Sequence, residues 1–114
     1  MSYERLPAPM AGLMRRLEDS EGFRIVDKST KMQTMIYYKE EKIGGANKAH
    51  AYISKLVVQR SSDFEKTLVK LGFQKKEHPV GHVHWKIPVL EVASFRHAVE
   101  GACKVIDETS TSSR

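Results

Sequence analysis

The spacing of apolar residues switches between a helical and a strand-like period four times along this chain, and that succession limits the architectures open to it. Met10, Leu13, Met14 and Leu17 fall at i, i+3, i+4 and i+7, the stripe of one amphipathic helix. Pro9 suits its first turn and Gly22 its stop. "GFRIVDKS", "KMQTMIYYKEE" and "AHAYISKLVVQ" follow. They are rich in β-favouring residues, and the second and third are apolar on both sides, as strands inside a sheet are. "GGANK" between them reads as a turn.

Helical spacing returns with Phe64, Leu68 and Leu71, opened by a capping box of Ser62 and Glu65 and stopped by Gly72. "FQKKE" and "HVHWKIPV" then predict a hairpin around Pro79 and Gly81. In its second strand Val83, Trp85, Ile87 and Val89 face one way, and His82, His84 and Lys86 the other. The last helix, with an N-cap near Ser94, carries Phe95, Val99, Ala102 and Ile106 inward and Arg96, Glu100 and Lys104 outward. The order α-β-β-β-α-β-β-α predicts an α+β two-layer sandwich. Its sheet is antiparallel, of about five strands, with helices mainly on one face. At 114 residues the chain reads as a single globular domain over 1–107 with a flexible polar tail at 108–114.

Charge is unevenly distributed along the chain. Residues 48–76 hold seven lysines and arginines against two acids, which accounts for the whole formal charge of +5. The residues are Lys48, Lys55, Arg60, Lys66, Lys70, Lys75 and Lys76. Lys66 and Lys70 lie opposite the Phe64–Leu68–Leu71 stripe, one helical turn apart. Such a segment attracts phosphate or an acidic partner. Tyr37, Tyr38 and Tyr52 on neighbouring strands are candidate stacking rings. A small basic binding protein is therefore expected, engaging nucleic acid or a nucleic-acid-associated protein through residues 48–76.

Two other readings stay open. One is a homodimeric structural or regulatory protein that associates through its sheet face or an edge strand. The other is a small metalloenzyme built on His50, His82 and His84, since His82 and His84 leave the same side of one strand. With Lys86, those two histidines are also candidate ligand contacts. Zinc requires three or four protein ligands, and no spacing signature of that kind is present. No phosphate loop, dinucleotide loop or nucleophile elbow occurs. Cys103 and His97 lie on different sides of the last helix, and Cys103 reads as a small buried hydrophobe. No cofactor, no catalytic residue and no membrane partner are expected. The single cysteine and the lack of an apolar leader predict a cytoplasmic protein.

Residues 51–88, "AYISKLVVQRSSDFEKTLVKLGFQKKEHPVGHVHWKIP", resemble a βαββ half-module of the glyoxalase and dioxygenase metalloenzymes, chiefly in the helix–"LGF"–strand phrase. The resemblance covers about a third of the chain and implies a metal site completed by a second copy. The opening α-β-β-β-α order is also that of double-stranded RNA-binding domains. Those carry a lysine cluster at the start of the second helix, where this chain has the acidic "SSDFEK", so that match is excluded.

Overall fold

The computed structural model describes residues 6–28, 33–77 and 83–111. Helix α1 (Ala8–Glu18) starts after Pro7 and buries Met10, Leu13, Met14 and Leu17, while Arg15 and Arg16 sit in its last turn, where the helix dipole favours cations. Strands β1 (Phe23–Lys28) and β2 (Gln33–Tyr38) pair antiparallel. β2 turns into β3 (Glu41–Ala46) through Lys39 and Glu40, which take positive φ of 51° and 66°. A two-residue hairpin turn with both centres left-handed matches strand twist but favours Asn-Gly. Here the side chains secure it: Lys39 Nζ donates to Asp107 at 2.6 Å, and Arg24 donates to Glu40 at 3.1 Å.

This hairpin corrects the expected element order. "GGANK" is not the turn after a long strand; its glycines lie inside β3. The reason is close approach. A Cβ on Gly44 would overlap the Tyr52 carbonyl oxygen, and one on Gly45 would sit 2.9 Å from the Tyr52 hydroxyl. The next turn is made at Asn47, whose Oδ1 accepts from the amides of Ala49 and His50, both at 2.8 Å. β4 (His50–Ser54) is shorter than expected. It stops where the Ser54 side chain caps a four-residue helix, α2 (Lys55–Val58).

Helix α3 (Ser62–Leu71) is capped by Ser61, not by the expected Ser62–Glu65 box: Ser61 Oγ accepts from the Phe64 amide at 3.1 Å. Gly72, at φ 98°, ends it in the left-handed conformation. β5 (Gln74–Glu77) and β6 (Val83–Pro88) form the expected antiparallel pair. Their turn, with His78, Pro79, Gly81 and His82, lies outside the described residues. Helix α4 (Val92–Thr111) begins two residues before the proposed Ser94 cap and extends through residues read as tail. Thr109 binds the Val105 carbonyl at 2.8 Å and receives Arg60 at 3.2 Å, so this end packs on the domain.

The architecture is α+β with two layers. Six strands, in the order β1-β2-β3-β4-β6-β5 and all antiparallel, form one open sheet. The helices bury Met10, Leu13, Phe64, Leu68, Phe95 and Ile106 against Ile25, Ile36, Ile53, Trp85 and Ile87. One sheet face is thus filled by core. Among the described residues, no helix covers the other, and none is long and apolar enough to cross a membrane.

Candidate functional site

Strand pairing assigns the described strand side chains to faces, because successive side chains alternate, except at Ile43 in β3, where a bulge shifts the register and puts Lys42 opposite Tyr37. On the helix-covered side lie Ile25–Ile36–Gly44–Ile53–Trp85, in one row across the sheet. Lys75, paired with Trp85, belongs to the same side. The uncovered side has its own row spanning all six strands: Val26, Met35, Gly45, Tyr52, Lys86 and Gln74. Above it runs Arg24–Tyr37–Lys42, and on the β5 side Ser54–His84–Lys76. His50 joins the face opposite Pro88.

The distribution of charge between the two faces is one-sided. Strand positions on the uncovered face hold Arg24, Lys42, Lys76, Lys86, His50 and His84, and no aspartate or glutamate. Asp27, Glu41 and Glu77, the carboxylates of described strands, fall by register on the helix side. Glu41 is engaged there by Arg60, whose guanidinium is held above its ordinary pKa by that hydrogen bond. The nearest acid to the uncovered face is Glu40 in the turn, ion-paired to Arg24 with both partners at least half exposed, an arrangement worth under about 1 kcal/mol.

Aromatic rings are woven into these cations. Arg24 lies 4.4 Å above the Tyr37 ring, and Lys42 Nζ is 5.6 Å from the Tyr52 centroid, both within cation–π reach. Tyr52 meets the His84 ring edge-on at 5.3 Å. Because Gly45 opposite has no side chain, the Tyr52 ring settles over the backbone and is only 6 % exposed. Burial raises its phenol pKa, with Tyr37 nearby as a smaller cause. Tyr37 is half-buried. Tyr38 faces the other way, and its hydroxyl donates to Asp107 at 3.1 Å.

The seven basic residues of the 48–76 segment are dispersed by the fold. Lys48 is in the β3–β4 turn, and Lys66 and Lys70 are on the outer surface of α3. Lys55 borders a cleft of about 150 Å³ with Lys75, Glu65 and Trp85. Arg60 is occupied by Glu41. Only Lys76 shares the uncovered face with Lys86 and His84. Arg24, Lys42 and Tyr37 join them there, which the linear run of charge does not reveal; the signal is strand parity, readable once the register is known.

The described histidines of the metal reading are set apart by the fold. His84 pairs with Ser54 and His50 with Pro88, so the two imidazoles start about 13 Å apart along β4 at 3.3 Å per residue. His82 lies outside the described residues, among which no group of three potential metal ligands is found.

A second concavity, about 420 Å³, opens between α1, the β1–β2 end and α4. Arg16 and Arg96 line it, but so do Glu21 and Glu100, so it carries no dominant sign. Cys103 forms part of its wall. Burial is the main cause that pushes the thiol pKa up to about 12, which leaves no thiolate for nucleophilic chemistry. His97 is turned to Glu100 at 3.7 Å. Comparison with family models, curated proteins and solved structures finds no match to this chain.

Proposed function

We infer that this protein binds single-stranded nucleic acid on the uncovered face of its sheet. The observation that carries this reading is the segregation of charge by strand register: Arg24, Lys42, Lys76, Lys86, His50, His84, Tyr37 and Tyr52 on one face, and the strand carboxylates, with Lys75, on the other. Phosphates supply most of the affinity in nucleic-acid complexes and respond to cations without opposing acids. A six-stranded width of about 24 Å accommodates at most about seven nucleotides at stacked spacing. Tyr37, half-buried on this face, offers a ring for a base, the mode in which sheet-based RNA-binding modules work. A duplex presents phosphates to a flat sheet but no unstacked base to that ring.

Self-association through this face is disfavoured by the same feature, since a two-fold would set like charges against each other. The exposed edge strand β5 carries Lys75 and Lys76, a common guard against edge pairing.

The test is a fluorescence-anisotropy titration of labelled ten-nucleotide single strands at several salt concentrations. Four cations engaging four phosphates predict a slope of log K against log salt of about −3, so affinity falls about 50-fold between 50 and 200 mM. Lys42→Glu with Lys86→Glu abolishes binding, and Lys66→Glu with Lys70→Glu on α3 leaves most of it. Loss of binding in the α3 pair alone, or no binding at tens of micromolar protein in 50 mM salt, refutes the reading.

A further inference from the structure

One corner of the uncovered face is hollowed. Where β4 begins, β6 ends and β5 begins, a pocket of about 130 Å³ is lined by His50, Gln74, Lys76 and Lys86 together with Gly72, Ile87 and Pro88. The residues around it include two lysines, a histidine and a glutamine, and no aspartate or glutamate. The strand register explains the convergence. Gln74 stands directly opposite Lys86, Lys76 is two residues further along the same face of β5, and His50 flanks Lys86 from β4 opposite Pro88. Lys86 is half-buried, and no carboxylate lies within ion-pair distance of it among the described residues. An ammonium without a carboxylate partner attracts an anion.

Size narrows the ligand. Sites for drug-sized molecules run to about 300–1,000 Å³, so this pocket admits a small group and not a nucleoside. Charge narrows it further. An internal phosphodiester carries one negative charge, whereas a phosphate monoester carries about −1.5 to −2 at pH 7 and presents three acceptor oxygens. Two lysines with donors from His50 and Gln74 match the monoester better. Position agrees as well: the pocket lies at the β5 margin of the face, where a strand laid across the sheet comes to an end.

We propose that this pocket holds the terminal phosphate of a bound single strand, which makes the protein selective for phosphorylated ends. The proposal rests on the open-face reading above and adds an end preference to it. Lys86 and Lys76 supply point charges to the phosphate oxygens, and Gln74 and His50 donate to them.

The experiment compares three ten-nucleotide strands, each labelled at an internal base: one with a 5′-phosphate, one with a 3′-phosphate and one with hydroxyls at both ends. At 150 mM salt the full chain binds one phosphorylated strand about tenfold more tightly than the hydroxyl strand. His50→Leu with Gln74→Leu, which keeps the four strand cations in place, reduces that ratio to about one while the hydroxyl strand still binds. Millimolar inorganic phosphate removes the advantage of the phosphorylated strand, and chloride at equal ionic strength does not; this separates occupancy of the pocket from general screening. If inorganic phosphate alone shifts the Lys86 and Gln74 amide resonances but all three strands bind equally, the pocket takes free phosphate and the end-selectivity proposal is overturned. Equal binding without any phosphate effect overturns the pocket altogether. In both cases the open-face reading survives, whereas failure of all three strands to bind overturns both.

Discussion

Trp85 and Phe95 offer a ranking that size alone gets wrong. Trp85 is the larger side chain and is 5 % exposed in the core, in register between Ile53 and Lys75. Phe95 is fully enclosed in the first turn of α4. Truncating a buried aromatic to alanine costs about 3–5 kcal/mol, and the spread depends on how well the vacated space collapses or fills. The indole borders the cleft of about 150 Å³ that opens to solvent beside Lys55 and Gln59. The hole left by Trp85→Ala therefore joins an existing opening and hydrates, which places its cost near 3 kcal/mol. The Phe95 hole has no such outlet, so Phe95→Ala costs between about 4 and 5 kcal/mol. A domain of this length has about 6–17 kcal/mol in total, so both losses are measurable. Urea denaturation followed by far-ultraviolet circular dichroism reads them. With a slope near 1.5 kcal/mol/M, the Trp85 variant loses about 2 M in midpoint and the Phe95 variant about 3 M. If Phe95→Ala is too unstable to isolate, Phe95→Leu against Trp85→Leu preserves the ranking test. A Trp85 variant less stable than its Phe95 counterpart, with unchanged slopes, refutes the argument from enclosure.

Two further outcomes follow from the backbone and the turn. Gly44→Ala costs at least about 3 kcal/mol because its Cβ overlaps the Tyr52 carbonyl and forces β3 from β4, whereas Gly72→Ala, with open space but φ of 98°, costs about 1–2 kcal/mol; equal costs by chemical denaturation contradict the close-approach account. The Asp107 carboxyl is held below its ordinary pKa by hydrogen bonds from Lys39 and Tyr38, so its contribution is complete above about pH 4 and fades as pH falls through the lowered folded-state value. The stability margin of the native protein over Asp107→Asn therefore shrinks as pH falls below about 4, and a margin constant across that acid range argues against the pairing.

Features that one helix or one strand determines by itself are legible in the sequence. The stripes of α1 and α4 are buried as spacing requires, and Trp85 turns inward while His84 and Lys86 turn outward. The sequence reading fails where distant residues decide. Lys39–Glu40 lacks the chemistry of a tight turn, and its left-handed backbone is secured by Asp107, which is 68 residues from Lys39, and by Arg24 on β1. Gly44 and Gly45 have the chemistry of a turn and are used for close strand approach. The polar end of α4 lacks apolar residues, and Arg60 and Lys39 reach it from elsewhere in the chain.

The candidate site was hidden for a related reason. Counting charge along a sequence averages over both faces of every strand, whereas a ligand meets only one. Residues 1–47 carry nearly balanced charge. Yet strand alternation sends Arg24 to the uncovered face and Asp27 to the helix side, and the bulge at Ile43 in β3 does the same for Lys42 and Glu41. In the basic segment the same alternation separates Lys75 from Lys76 across the sheet. A segment with a net charge of +5 is thus dispersed, and one near neutrality contributes Arg24 and Lys42 to the face we assign to the ligand. Alternation is fixed by backbone geometry, but the faces acquire their meaning only when helices cover one of them. The covered face is chosen by Ile25, Ile36, Ile53, Trp85 and Ile87 together with the helix stripes. The apolar pattern that drives folding therefore also determines which cations remain in water, and charge that looks unremarkable in sequence becomes one-sided through packing.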